Sequence, residues 1–307
     1  MADLTKTAYV FPGQGSQWVG MGRDLGDNFA SAKVVFDRAD EVLGFPLSRL
    51  CFEGPEDELR QTSNAQPAIL AVSYACLEAA REVNPDLPSP VFVAGHSLGE
   101  YTALAVAGVL DLATAVYLAR ERGRLMHEAG LSRPGSMAAV MGFDETLLAE
   151  VCRETGTYIV NINCPGQLVI SGDRENMAQA MDLAKDKGAP RVIPLLVSGA
   201  FHTPLMQPAV DGMAEIVANL SFHEPVIPII ANTTAQPLTT AEAVKEELIQ
   251  QLCHCVQWQR SIEYMIDEGV SNFIEIGPGK VLTGLIKRIN KEVKTVNLGD
   301  AQAIRDL

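Results

Sequence analysis

The chain has 307 residues, 47% of them hydrophobic and 20% charged, which is enough apolar material for one large core and a smaller second one. Its 24 lysines and arginines stand against 38 aspartates and glutamates, a net charge of −14, which argues against general binding to nucleic acid or anionic membranes; any anionic partner must meet a local basic patch. No secretory pattern opens the sequence, no apolar stretch approaches the ~20 residues of a membrane-spanning helix, and the six scattered cysteines suit reduced thiols, so a soluble cytoplasmic protein is expected.

The first apolar, β-branched run, TAYVF, ends at Pro12-Gly13 and reads as a buried strand entering a glycine-rich turn. Helical patterns then dominate to about Glu82. PVFVAG reads as the next strand, and the alanine-rich stretch that follows, with Gly108 inside it, as one or two closely packed helices. From Arg133 the texture changes. GSMAAVMGF reads as a strand, Asp144 caps the helix DETLLAEVCRET, YIVNINC and LVISG are strands joined by Pro165-Gly166-Gln167, RENMAQAMDLAKDKGA is a second helix and RVIPLLVS a closing strand. The order β-α-β-β-α-β is that of a ferredoxin-like unit, so residues 131–197 are expected to form a small domain inserted into a larger α/β domain made of 1–130 and 198–307. The larger domain resumes with a helix near 206–219, the strand VIPIIAN, a helix near 241–253, the strand NFIEIG, and a helix, VLTGLIKRI, after Gly277-Pro278-Gly279.

Gly95-His96-Ser97-Leu98-Gly99 fits G-x-S-x-G, the tight strand-to-helix turn that lifts a serine hydroxyl clear of a sheet. The string alone is weak, but here a strand precedes it and a helix follows, which makes Ser97 a candidate nucleophile. Of the five histidines available as its base, His96 points away as a sequence neighbour, while His127 and His223 sit in structural settings. His202 follows an apolar strand in a strand-to-loop position suited to catalysis. Cys253-His254-Cys255 has no second ligand pair at zinc-like spacing, so no metal is expected. Trp18 occupies the third glycine position of a dinucleotide loop begun by Gly13 and Gly15, and Gly277-Pro278-Gly279-Lys280 lacks the first glycine of a Walker loop.

In order along the chain, Phe11-Pro12-Gly13-Gln14-Gly15-Ser16-Gln17, Gly95-His96-Ser97-Leu98-Gly99-Glu100, Ala200-Phe201-His202, Val256-Gln257-Trp258 and Gly277-Pro278-Gly279-Lys280 resemble the signatures of the malonyl-CoA:acyl carrier protein transacylases. The resemblance implies an α/β-hydrolase-like large domain with the ferredoxin-like insert. It also implies that Ser97 is acylated, that His202 is general base and acid, and that the main-chain carbonyl of Gln257 orients His202. Gln14 and the backbone N–H of Leu98 would hold the oxyanion, and Arg122 would grip the substrate carboxylate. A guanidinium fork suits that last task, since it makes two charge-assisted hydrogen bonds to a malonyl group and is left unpaired by acetyl. Phe201 before His202 resembles the malonyl-selective form of this loop. One departure stands out, His254-Cys255 where the family often has asparagine-proline.

The activity so implied is ping-pong transfer of malonyl from malonyl-CoA to an acyl carrier protein, supplying extender units for fatty acid synthesis, by a monomer that uses no cofactor. Lys280, Lys287, Arg288 and Lys291 are the candidate positive patch for an acidic carrier protein. A trans-acting acyltransferase of a polyketide synthase, a thioester hydrolase sharing the serine turn, and a non-catalytic scaffold are the competing readings.

Overall fold

The computed structural model describes residues 6–197 and 199–307. Residues 1–5, at the start of the expected larger domain, and Ser198, expected to end the insert's closing strand and to open the second part of that domain, lie outside the described residues.

In chain order the first elements are β1 (Lys6–Phe11), α1 (Arg23–Asn28), α2 (Ala30–Leu43), α3 (Leu47–Glu53), α4 (Glu56–Arg60), α5 (Thr62–Val83), β2 (Phe92–Gly95), α6 (Gly99–Val106) and α7 (Leu112–Ser132). Next come β3 (Gly135–Met141), α8 (Glu145–Thr155), β4 (Tyr158–Cys164), β5 (Gln167–Asp173), α9 (Arg174–Asp186) and β6 (Arg191–Pro194). The rest folds as α10 (Gln207–Ala218), β7 (Ile229–Ile230), β8 (Pro237–Leu238), α11 (Ala241–Gln250), α12 (Trp258–Asp267), β9 (Val270–Ile276), α13 (Val281–Ile289), β10 (Lys294–Leu298) and α14 (Ala301–Arg305).

The larger sheet has the order β10-β9-β1-β2-β7-β8 and is parallel except for the edge pair β7–β8. β1 lies at its centre and is buried on both faces, which is why its sequence is a nearly unbroken apolar run. Alternation still divides it. Tyr9 and Phe11 pack into the main core against α2, α5 and α7, while Ala8 and Val10 face Trp258, Ile262 and Met265 of α12 and Leu282, Leu285 and Ile286 of α13. Helices on both faces of a parallel sheet make this the expected α/β-hydrolase-like domain.

The smaller sheet, β4-β5-β3-β6, is antiparallel throughout and carries the ferredoxin-like order. Alanine 138 and Val140 of β3 meet Leu148, Val151, Met177 and Ala180 of α8 and α9 on one face. Met137, Ala139 and Val169 on the other face join the main core and roof a cavity. Asp144 caps α8 as expected, its carboxylate accepting the N–H groups of Thr146 and Leu147.

Among the elements that differ from expectation are three strands. The closing strand β6 stops at Pro194; the Leu195 N–H still donates to the Met137 carbonyl of β3 at 2.9 Å, and Leu195, Leu196 and Val197 line the cavity. The run VIPIIAN pairs only through Ile229 and Ile230, because Pro228 has no N–H to donate and Asn232 already turns away toward other partners. Lys294–Leu298, which carries no apolar run, is the parallel edge strand β10.

Candidate active site

The serine turn sits where β2 passes into α6, at the carboxyl end of the parallel sheet. A β-carbon at residue 95 would lie 1.8 Å from the carbonyl carbon of Gly99, and one at residue 99 would lie 2.1 Å from the carbonyl oxygen of Phe11, so both motif glycines are required by packing. Ser97 between them has φ of 50°, a left-handed conformation that projects its hydroxyl outward. His202 is held in the same region, with φ of 61°.

The two meet. Ser97 Oγ lies 2.8 Å from Nε2 of His202, and the opposite ring nitrogen, Nδ1, lies 2.7 Å from the main-chain oxygen of Gln251. Because a carbonyl can only accept, Nδ1 carries the proton and Nε2 is the free lone pair facing the serine hydroxyl. Burial, and then the neighbouring Arg122 cation, push the His202 imidazole down to about 3, so the ring stands neutral and ready to accept a proton at neutral pH.

The carbonyl that orients His202 is therefore that of Gln251 and not that of Gln257. Gln257 caps α12, and its carbonyl already accepts the N–H of Ser261 at 2.9 Å, the first bond of that helix. Gln251 caps the other kind of helix end. It follows the last residue of α11, where carbonyls have no partner further along the helix and the helix dipole is negative. The helix expected near 241–253 stops at Gln250, and that early stop exposes the acceptor.

Arg122, on α7, is only 1% exposed and places Nη2 3.1 Å from Ser97 Oγ. The same Nη2 donates to Gln251 Oε1 at 2.7 Å, Nη1 donates to Gln66 Oε1 at 2.9 Å, and the guanidinium lies 5.1 Å from the centre of the Tyr101 ring. Among the described residues no carboxylate stands within ion-pair distance of it, and its Nε has no acceptor. Burial lowers its proton affinity, yet a guanidinium remains charged, so the site holds a buried cation solvated by neutral dipoles. Such a charge is unspent and attracts a carboxylate.

Gln14 lines the same cavity and donates from Nε2 to Thr62 Oγ1 at 3.2 Å, which leaves its second amide proton for another acceptor. Leu98 is buried at the entrance to α6. Its N–H makes no hydrogen bond among the described residues, as expected of the first turn of a helix. His96, expected to point away, is tied to the insert, Nε2 lying 2.8 Å from Oδ1 of Asn163 on β4. The cavity encloses about 630 Å³ between the two sheets, with Phe201, Met126, Met137 and Val169 giving it apolar walls.

At its mouth stand Val281, 53% exposed, and Leu196, 83% exposed. Lys280, Arg288 and Lys291 are exposed around α13, and Lys287 is half-buried with Nζ on the carbonyl of Val293. Arg288 reaches the rim, donating to Gln167 Oε1 at 2.5 Å. None of these four cations has an acidic partner within ion-pair distance among the described residues. Nor is there any group of three or more histidine, cysteine, aspartate or glutamate side chains placed to hold a metal ion among them.

Several residues essential to this arrangement escaped the sequence reading. Asn232 accepts the Ser97 N–H on Oδ1 at 2.7 Å and donates to the Gly95 carbonyl at 2.7 Å. It lies two residues past the end of β7, and the end of a parallel strand was the available signal. Gln251 and Gln66 lie at a helix end and within a helix, where nothing in the local pattern marks them.

A hydroxyl, a neutral imidazole and a buried cation converging on one oxygen define a serine-type acyl-transfer site for acyl groups that end in an anion. The chain belongs to the acyl transferase domain family, whose model matches residues 8–302. It is 46% identical over 308 aligned positions to the malonyl CoA-acyl carrier protein transacylase of Bacillus subtilis strain 168, an alignment covering 98% of this chain and 96% of that one. Among solved structures it is similar to the acyl-carrier-protein-S-malonyltransferase of Bartonella henselae, with a TM-score of 0.94, 41% identity and 98% of each chain covered. A malonyl-transacylase solved in complex with a type II polyketide synthase acyl-carrier protein matches equally well in shape, with a TM-score of 0.94, 39% identity and 98% of each chain covered.

Proposed function

We propose that this chain transfers the malonyl group of malonyl-CoA to the phosphopantetheine thiol of an acyl carrier protein through a malonyl ester on Ser97, supplying extender units for fatty acid synthesis. The observation that carries this reading is the meeting of three groups at Ser97 Oγ, with His202 Nε2 at 2.8 Å and Arg122 Nη2 at 3.1 Å.

His202 takes the Ser97 proton as Oγ attacks the thioester carbonyl. The oxyanion is met by the Leu98 N–H at the start of α6, where the helix dipole is positive, and by the free amide proton of Gln14. As the carbon–sulfur bond breaks, His202 returns the proton to the coenzyme A sulfur, leaving the ester. The carrier thiol then gives its proton to His202, its sulfur attacks the same carbonyl, and Ser97 Oγ leaves and recovers the proton. Throughout, the Gln251 carbonyl and the negative end of α11 steady the imidazolium, the task a carboxylate performs in many serine hydrolases.

Arg122 holds the malonyl carboxylate and has a second effect. After burial, its charge is the largest cause that depresses His202, so an arriving carboxylate offsets that charge and makes His202 a stronger base. Selection of malonyl over acetyl then shows in the rate of acylation as well as in binding. The acidic carrier protein docks at the mouth of the cavity on Lys280, Lys287, Arg288 and Lys291, a local positive patch on a chain of net charge −14. The protein acts as a monomer in the cytoplasm, a reducing compartment that suits its six free cysteines, four of them buried. Among the described residues no helix is long and apolar enough to cross a membrane.

The test is the intact mass of the protein after mixing with malonyl-CoA, acetyl-CoA or methylmalonyl-CoA. Fast gain of one malonyl group by the parent, and none by Ser97→Ala, is the expected result. Release of free malonate faster than transfer to carrier protein would move the chain to the hydrolases.

A further inference from the structure

Behind Ser97 lies a fully buried carboxylate that the chemistry above does not use. Glu100, in the first turn of α6, is 0% exposed. Its Oε1 accepts the main-chain N–H of Asn232 at 3.0 Å, and its Oε2 accepts the side-chain amide of Gln251. Both partners end on reacting groups. Asn232 holds the Ser97 N–H and the Gly95 carbonyl. Gln251 does more: Nε2 also donates to the Ser97 carbonyl at 3.0 Å, Oε1 accepts from Arg122, and its main-chain oxygen orients His202. Helix α6, the end of β7 and the end of α11 therefore converge on one side chain.

The donor inventory decides what this position tolerates. Each oxygen of Glu100 faces a donor, a main-chain N–H on one side and an amide NH₂ on the other, and neither can become an acceptor. A carboxylate satisfies both. A carboxamide of the same shape turns its own NH₂ against one of them and leaves a buried donor unpaired. Stability does not explain the group, since burial and the nearby Glu247 both push the Glu100 carboxyl well above the usual range. Arg122, the cation its charge would serve, is reached only through the Gln251 amide.

We propose that Glu100 is a positioning residue that locks the serine turn, the carbonyl behind His202 and the Arg122 guanidinium into one register, and so sets both the rate of Ser97 acylation and the preference for an acyl group bearing a carboxylate. The proposal rests on the malonyl-transfer reading above and assigns Glu100 no contact with substrate.

The experiment is a time course of Ser97 acylation by intact mass, with malonyl-CoA and with acetyl-CoA, for the parent, Glu100→Gln, Glu100→Asp and Glu247→Gln. Rate and end point are read separately, because unfolded protein lowers the end point and a misaligned site lowers the rate. Glu100→Gln is expected to reach a full end point at least ~10-fold more slowly, with a several-fold smaller preference for malonyl, as for a misplaced catalytic group. Glu247→Gln, whose native carboxylate binds Thr233, is expected to keep the parent rate. Parent-like rates in Glu100→Gln, or equal slowing in Glu247→Gln, overturn the proposal. Should Glu100→Gln prove insoluble, Glu100→Asp decides, since its carboxylate is drawn back by one methylene from both donors and a parent rate there overturns the proposal equally. Absence of any malonyl adduct on the parent would instead defeat the transfer reading itself.

Discussion

Two sets of cations flank the same cavity and are held in opposite ways. Arg122 is removed from water, bound only by neutral acceptors and left without an acid. Arg288 stands in solvent at the rim on Gln167, Lys280 and Lys291 are exposed at the two ends of α13, and Lys287 is tied to a main-chain carbonyl. Coulomb's law separates their consequences. A charge in a dry, low-dielectric site acts strongly over a few ångströms and feels little of the bulk salt, whereas exposed charges are screened within about 8–10 Å at ordinary ionic strength. The interior cation can thus choose an acyl group, and the rim cations can only gather and orient a large acidic partner.

Removing the atom on which the interior groups converge gives the largest effect. Ser97→Ala should lose the malonyl adduct by intact mass and lower turnover on the order of 10³-fold or more, while its melting temperature stays near that of the parent. Arg122 comes next. Each charge-assisted hydrogen bond to a carboxylate is worth about 1.5–3 kcal/mol, so Arg122→Ala should lower kcat/KM for malonyl-CoA about 100-fold or more. Acetyl-CoA should suffer less, and the ratio of the two, measured in one competition reaction, checks the assignment. An unchanged ratio would mean that the interior cation has no part in selection.

The interior set is also where sequence and structure part company. Ser97 was legible because its turn demands glycine at two fixed offsets, a requirement imposed by backbone atoms near 2 Å from the would-be β-carbons. His202 was legible from its place after a strand, and the insert from alternating apolar residues with Asp144 at a helix start. The orienting carbonyl was misplaced by six residues, from Gln251 to Gln257, because a main-chain acceptor has no side-chain signature and depends on where α11 ends. No glycine or proline marks that end. Strands β6 and β7 came out shorter than their apolar runs suggested: Pro228 cannot donate to a ladder, and past Pro194 the chain keeps the Leu195 bond to Met137 and then lines the cavity. Strand β10 was missed because an exposed edge carrying Lys294 and Asn297 has no apolar run to read. Glu100 stood in plain sight within the serine motif, yet its partners Asn232 and Gln251 come from more than 130 residues away and only the fold brings them to it.

The rim offers a smaller effect with a distinct signature. Reversing Lys287 and Arg288 to glutamate should raise the carrier-protein KM several-fold at low ionic strength and leave kcat for Ser97 acylation by malonyl-CoA near the parent value. Added salt should erase most of that difference while leaving the Arg122→Ala defect intact, because screening reaches only the exposed charges. A salt-independent rim effect would point instead to the contact that Arg288 makes with Gln167, which joins α13 to the insert's β4–β5 turn.

The smallest effect is thermodynamic and returns to the interior. Burial first, and then Arg122, bring His202 from 6.5 down to about 3, so the native imidazole stays neutral over a range in which the unfolded one takes up a proton. The sign follows from linkage: the stability tied to the neutral ring is fully present above about pH 6.5 and is lost as pH falls toward 3, where the unfolded state binds more protons than the native one. Replacing His202 by asparagine, whose amide can still donate to the Gln251 carbonyl, removes that term. The fall of stability with acidification should then be shallower than in the parent by up to about one proton, or about 1.4 kcal/mol per pH unit. His96, also held down by burial, is present in both proteins, and its charge is a smaller cause lowering His202. Arg122→Ala sharpens the comparison further, because it removes the largest cause after burial that lowers His202. In that variant the onset near pH 6.5 should persist while the steep region ends at a higher pH than in the parent, and chemical denaturation at a series of pH values resolves the two limits. Coincident curves for parent and Arg122→Ala would show that the interior cation does not reach the imidazole electrostatically, and its influence on the base would then have to be ascribed to position alone.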